Sequence, residues 1–201
     1  MATRHCGFIL ALVSAFTLTA CGAPQTSARV PDVGARTEET QAETVRPPTG
    51  DIHDFDWAPG NWALANRRLK ARGVGSHDWD EFPATSRTVQ YLGGTVNVDE
   101  ITFPTKGWSG LTVRVFNPET RQWSIYWINS KVGRMDPPQV GGFTGNRGEF
   151  YGEDEDNGRH VKVRYTWIKT GPDTAHWEQA FSYDGRTWET NWMNDLTRIA
   201  R

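Results

Sequence analysis

Leu111-Thr112-Val113-Arg114-Val115-Phe116, Asn117-Pro118-Glu119-Thr120, then Arg121-Gln122-Trp123-Ser124-Ile125-Tyr126-Trp127 reads as two strands joined by a turn. On either side of the turn apolar and polar side chains alternate, the period of a strand whose successive side chains point to opposite faces. Asn-Pro starts a type I turn. A link this short cannot carry a parallel crossover, which needs a dozen or more residues, so the two strands are antiparallel neighbours.

The same unit recurs along the chain. Leu92-Gly93-Gly94, Gly145-Asn146, Asp156-Asn157-Gly158, Gly171-Pro172-Asp173 and Asp184-Gly185 each separate alternating runs. Asn-Gly, Asp-Gly and Gly-Asn supply the positive φ angles of tight hairpins. Strands are expected near 61–70, 78–90, 95–103, 109–116, 122–129, 138–144, 147–153, 159–168, 174–182 and 187–198. No stretch of helical length carries the 3.6-residue period, apart from a turn around Asp54 to Ala58. The fold class is therefore all-β: an up-and-down antiparallel meander of about ten strands. An open meander leaves two exposed edges, and closure into a barrel removes them, which favours a barrel over a two-sheet sandwich.

Composition separates this domain from what precedes it. All ten tryptophans lie beyond Gly50, from Trp57 to Trp192. Residues 51–201 are expected to form one domain, large enough for a real core. Residues 22–50 hold Ala, Pro, Gln, Thr and Glu with no aromatic, so 21–50 is read as a disordered tether. The 22 basic and 24 acidic residues give a net charge of -2 and are dispersed. Nucleic acid is excluded as a partner, because phosphate neutralisation needs a basic stripe.

Arg4 and His5 precede an apolar run from Phe8 to Leu18, and small residues lead into Cys21, the layout of a secretory signal over residues 1–20. The run is shorter than the roughly 20 apolar residues of a membrane-spanning helix. Leu18-Thr19-Ala20-Cys21 resembles the lipobox of bacterial lipoproteins. That resemblance implies acylation of Cys21, a lipid anchor in the membrane and a place in the cell envelope. Gly22 stands where an aspartate would resemble an inner-membrane retention signal, so the outer membrane is favoured. Cys6 would leave with the signal, so the mature domain would have no disulfide.

Gly60-Asn61-Trp62 at the first strand looks like the Gly-x-Trp that opens lipocalin-type barrels, and Arg198 looks like the arginine that covers that tryptophan. With Asn97-Val98-Asp99-Glu100, Trp123-Ser124-Ile125-Tyr126-Trp127, Trp177-Glu178-Gln179-Ala180-Phe181-Ser182 and Trp188-Glu189-Thr190-Asn191-Trp192, the stretch from Asp54 to Arg198 is similar to a family of uncharacterised bacterial lipoproteins with lipocalin-like (calycin) domains. The resemblance implies a barrel closed structurally by Trp62 and Arg198. It implies little about activity, since calycin-like barrels host transport, haem chemistry and decarboxylation alike.

Alternation assigns faces. Leu111, Val113 and Val115; Trp123, Ile125 and Trp127; Val161, Val163, Tyr165 and Trp167; and Trp188, Thr190, Trp192, Asn194 and Leu196 are expected to face the interior, with Thr112, Arg114, Lys162 and Arg164 outside. A ten-strand barrel is wider than the eight-strand barrel that side chains just fill, which leaves room for a small ligand. Val113, Ile125, Trp127, Val163, Tyr165, Trp167 and Trp192 are the expected cavity residues. The pattern does not decide between Asp99 and Glu100, or place Glu178. Glu100 is taken as the inward carboxylate, with Glu178 as a second candidate. Either, if buried, would have a raised pKa suited to acid or base work.

The histidines lack metal-ligand spacing, and the last strand has none to resemble a proximal haem ligand, so neither metal nor cofactor is expected. Glu153-Asp154-Glu155-Asp156-Asn157-Gly158 lacks EF-hand spacing and reads as a solvated hairpin tip. Three functions compete: a lipid-anchored carrier of a small apolar or aromatic molecule, an enzyme on a phenolic or similar planar substrate, and a glycan-binding module using exposed Trp79 and Trp108. The carrier reading leads, because no nucleophile is identifiable.

Overall fold

The computed structural model describes residues 46–199. The signal segment, Cys21 and the tether up to residue 45 lie outside the described residues. Ten strands follow one another: β1 (Gly60–Leu69), β2 (Trp79–Tyr91), β3 (Val96–Phe103), β4 (Trp108–Asn117), β5 (Gln122–Asn129), β6 (Gln139–Thr144), β7 (Arg147–Asp156), β8 (Arg159–Lys169), β9 (Thr174–Ser182) and β10 (Glu189–Arg198). Each pairs antiparallel with its neighbours in sequence, and β1 pairs with β10, closing the barrel. The fold is a lipocalin-like, up-and-down barrel. Among the described residues no helix is long and apolar enough to cross a membrane.

Turn chemistry sets the register. Asp156 pairs with Arg159 across Asn157 (φ 51°) and Gly158 (φ 79°), a two-residue turn with both central residues left-handed. Thr144 pairs with Arg147 across Gly145 (φ 64°) and Asn146, with glycine at the first central position. In the hairpin from which the fold was read, Asn117 Oδ1 accepts from the Glu119 amide at 2.9 Å. Phe116 is thereby placed opposite Trp123, and Arg114 opposite Ile125.

Turns rather than helix occupy residues 52–57, and this segment seals one end of the barrel. Phe55 is 1% exposed and meets Trp123 and Phe143 edge-on, with ring centroids 5.0 and 5.3 Å away. The indole of Trp123 donates to Asp51 O at 2.9 Å and that of Trp62 to Ala58 O at 2.8 Å. Pro47–Gly50, read above as the end of the tether, also touch the barrel: Gln122 donates to Pro47 O and the Gly50 amide to Arg121 O. Arg198 locks this end. Its Cζ lies 4.2 Å from the Trp62 ring centroid, and it donates to Pro59 O at 2.7 Å, Trp57 O at 2.6 Å and Asp173 Oδ1 at 2.8 Å. A Cβ on Gly60 (φ 129°) would meet Arg198 Nη1 at 2.6 Å, so glycine there is required both by conformation and by space.

One expected face is reversed and a second is broken part-way along its strand. On β4, Gly110, Thr112, Arg114 and Phe116 are buried inward, while Leu111, Val113 and Val115 lie half-buried on the outside. Val113 is therefore not a cavity residue. Partners directly opposite in an antiparallel pair share a face, and pairing Phe116 with Trp123 carries Arg114 inward with Ile125. On β10 the register slips between Thr190 and Trp192, so Asn191 is an extra residue and alternation breaks there. Trp192, Asn194 and Leu196 still face in, but Trp188 sits outside, beside Tyr151 and under Arg164.

Candidate ligand-binding lumen

Inside the barrel lies a cavity of about 80 Å³. Its apolar wall is mostly indole: Trp57, Trp62, Trp127, Trp167, Trp177 and Trp192, with Phe55 and Phe103. Ten strands do make a wide barrel, but these rings interlock at 5–6.5 Å centroid distances and consume most of the width. The remaining space is roughly half of the ~150 Å³ that admits benzene. Gly110 makes room for one of these rings, since a Cβ there would lie 1.9 Å from Trp127 Cη2.

The polar wall comes from Ser86, Thr88, Asp99, Thr112, Arg114, Gln179 and Asn194. Asp99 and Arg114 are 3% and 5% exposed and form an ion pair. Arg114 Nη1 also donates to Asn97 Oδ1 at 2.8 Å. Its guanidinium lies over Phe55 and Trp167, at 5.0 and 5.4 Å from their centroids. Asp99 Oδ1 faces Arg114 Nη1 in this pair, and Asp99 Oδ2 is buried without a hydrogen-bond partner. Arg114 Nε, Trp167 Nε1 and Asn194 Oδ1 are likewise buried without a hydrogen-bond partner. Buried polar groups ordinarily have partners, and four residues bordering one cavity depart from that rule together.

Of the expected cavity residues, Ile125, Trp127, Tyr165, Trp167 and Trp192 line the lumen. Val163 faces inward but packs in a separate cluster with Val161 and Phe181, away from the cavity. Glu100 is corrected: it is exposed and lies outside, opposite Leu111 and Arg87, and the inward carboxylate is Asp99. Glu178 also lies outside, where it accepts a contact from His176 Nε2 at 3.0 Å, while Asp195 meets Nδ1 at 2.6 Å. Neither carboxylate reaches the cavity. Trp108, expected to be exposed, packs on Phe103 at 4.1 Å beside Trp127 and Trp192, and Trp79 is half-buried under Arg67. No tryptophan is among the exposed large apolar residues, which removes the row of indoles that glycan stacking needs.

Burial, reinforced by Asp154 and Asp136, pushes the Tyr165 hydroxyl well above the usual phenol range, so it stays protonated. Among the described residues no cluster of His, Cys, Asp and Glu is placed to hold a metal ion. Sequence reasoning missed Arg114, Thr112 and Gln179, and left Asp99 open against Glu100. Hairpin register held the signal for Arg114: counting across Asn117–Gln122 pairs it with Ile125.

No family model matches the sequence, and no curated protein matches it. Among solved structures the chain is similar to the crystal structure of Rv2717c from M. tuberculosis, at 12% identity and a TM-score of 0.52, covering 76% of this chain and 99% of that one. This likeness is one of fold. The S-type phycobiliprotein lyase CPES from Guillardia theta aligns at 9% identity and a TM-score of 0.45, over 73% of this chain and 91% of that one.

Proposed function

We propose that this protein is an envelope lipoprotein, anchored through Cys21, whose barrel carries a compact and largely apolar small molecule with at least one hydrogen-bonding group. The observation that carries the reading is the set of unpartnered buried groups around one cavity: Trp167 Nε1 and Arg114 Nε as donors, Asn194 Oδ1 and Asp99 Oδ2 as acceptors. Each such group left bare costs about 1–3 kcal/mol, and a guest with complementary atoms recovers it. Indole walls supply the apolar contact.

Cavity size limits the guest. Anything as large as an aromatic ring needs one wall to shift, and the wall outside the sheet is the turn segment carrying Phe55 and Trp57. That segment is held by three turn bonds, Asp54 N to Asp51 O, Asp56 N to His53 O and Ala58 N to Phe55 O, and by donors from the barrel, Trp123 to Asp51 O, Trp62 to Ala58 O and Arg198 to Trp57 O, so a shift has to break bonds of both kinds. Catalysis has Asp99 at the cavity wall in its favour, but Arg114 occupies that carboxylate and Tyr165 is held protonated. The anchor reading rests on Leu18-Thr19-Ala20-Cys21 and the apolar run before it.

Native mass spectrometry of the full chain, purified from its own cells, tests the carrier reading. A displaceable non-lipid mass in addition to the acylated protein is expected. A population consisting only of the protein and its acyl chains would overturn it.

A further inference from the structure

The inward column of β1 runs Trp62, Leu64, Asn66, Arg68, from the sealed end towards the other. Arg68 stands opposite Trp192 on β10 and Asp80 on β2, and its Cζ lies 4.5 Å from the Trp192 ring centroid. Trp192 is a wall of the lumen, and its Nε1 donates to Asn66 Oδ1 at 3.1 Å. Asn66 is 2% exposed and its Nδ2 has no partner. Two kinds of N–H donor, one of them charged, therefore adjoin the same indole.

Among the described residues no carboxylate lies within ion-pair reach of Arg68, and those nearby are engaged elsewhere. Asp80 holds Lys106 at 2.6 Å. Asp156 holds Arg72 and accepts from Tyr183 at 2.8 Å. Glu189 accepts from the Gly73 amide at 2.8 Å. Burial, with Arg72 close by, lowers the Arg68 pKa despite the pull of Asp156 and Asp80. A partly desolvated guanidinium without a counterion is unfavourable unless an anion meets it, and its planar fork fits a carboxylate with two parallel hydrogen bonds.

We propose that Arg68 is the carboxylate-recognition position of the barrel: the guest is a monocarboxylic acid whose acid group lies on Arg68 and Asn66 while its apolar part passes Trp192 into the lumen. A single negative charge suits a setting where Asp80, Asp156 and Glu189 stand close. This rests on the carrier reading and specifies the chemical class of its guest.

The probes are butanoate and hexanoate against 1-butanol and 1-hexanol, titrated into the full chain and followed by tryptophan fluorescence. The acids are expected to bind about tenfold or more tightly than the matched alcohols, the range of a hydrogen bond to a charged group. Arg68→Gln should erase the difference while leaving alcohol binding in place, and Arg68→Lys should restore part of it. Equal binding of acid and alcohol to the unaltered chain overturns the role of Arg68 and leaves the carrier reading standing. A preference for acids that survives in Arg68→Gln, with an unchanged melting temperature, also overturns it. Binding of neither class counts against both.

Discussion

Replacing Arg114 by methionine keeps most of the side-chain volume between Phe55 and Trp167 but removes the charge that faces Asp99. Asp99 is 3% exposed and has no hydrogen bond of its own, so its charge would be left in the barrel without compensation. Breaking a buried ion pair on one side costs about 3–5 kcal/mol. For a domain of this size 1 kcal/mol corresponds to roughly 2–4 °C in melting temperature, so a fall of about 6–20 °C is expected by calorimetry. The double variant Asp99→Leu/Arg114→Met removes both charges. Its remaining penalty is the Asn97 Oδ1 that loses its donor, about 1–3 kcal/mol, set against the gain of about 1–4 kcal/mol often found when an ion pair becomes apolar. The double variant should therefore melt above the single one. A single variant that melts with the wild type, or a double variant no better than the single, refutes this account of the lumen's electrostatics.

Other perturbations probe the closure, the lumen wall and the outer face. Arg198→Ala removes the cover over Trp62 and three hydrogen bonds on a side chain about one-quarter exposed; a loss of about 2–4 kcal/mol is expected in urea unfolding, with faster amide exchange in residues 50–59. Gly110→Ala forces Trp127 out of its position and should cost about 1–3 kcal/mol, with a red shift of tryptophan emission. Burial lowers the His176 pKa, but the hydrogen bonds and charges of Asp195 and Glu178 outweigh it, so the folded value lies above 6.5. Its contribution to stability is therefore complete below the ordinary histidine value and is lost as pH rises through the raised one. An imidazole NMR titration should show the raised midpoint, and Asp195→Asn should lower it.

Strand number and order were readable because this chain punctuates its strands with residues whose turn geometry is narrow. Asn157-Gly158 and Gly145-Asn146 each admit essentially one hairpin class. Faces were readable only where apolar residues lie inside, as on β5. On β4 the valines lie outside, where β-branched side chains still suit a strand surface, and the interior takes Thr112 and Arg114 instead. Assigning the apolar residues of that strand to the core therefore selected the wrong parity, and Arg114 was missed because the facing Asp99 makes its burial tolerable, while alternation alone could not choose between Asp99 and Glu100. The bulge at Asn191 carries no sequence mark in an otherwise regular alternation, so Trp188 was drawn inside. The filling of the lumen follows from the number of indoles, but their interlocking depends on where Gly110 leaves space, a matter of three-dimensional register.

Indole N–H resonances offer the most direct view of the central claim, that the lumen holds a guest which completes its hydrogen bonds. In the ¹⁵N spectrum of the full chain purified from its own cells, the Trp167 peak is predicted to move when the protein is unfolded in guanidinium, stripped and refolded, because that donor has no acceptor within the protein. The peaks of Trp62 and Trp123, held by backbone carbonyls, are predicted to stay in place. All indole peaks unchanged after stripping would contradict the account.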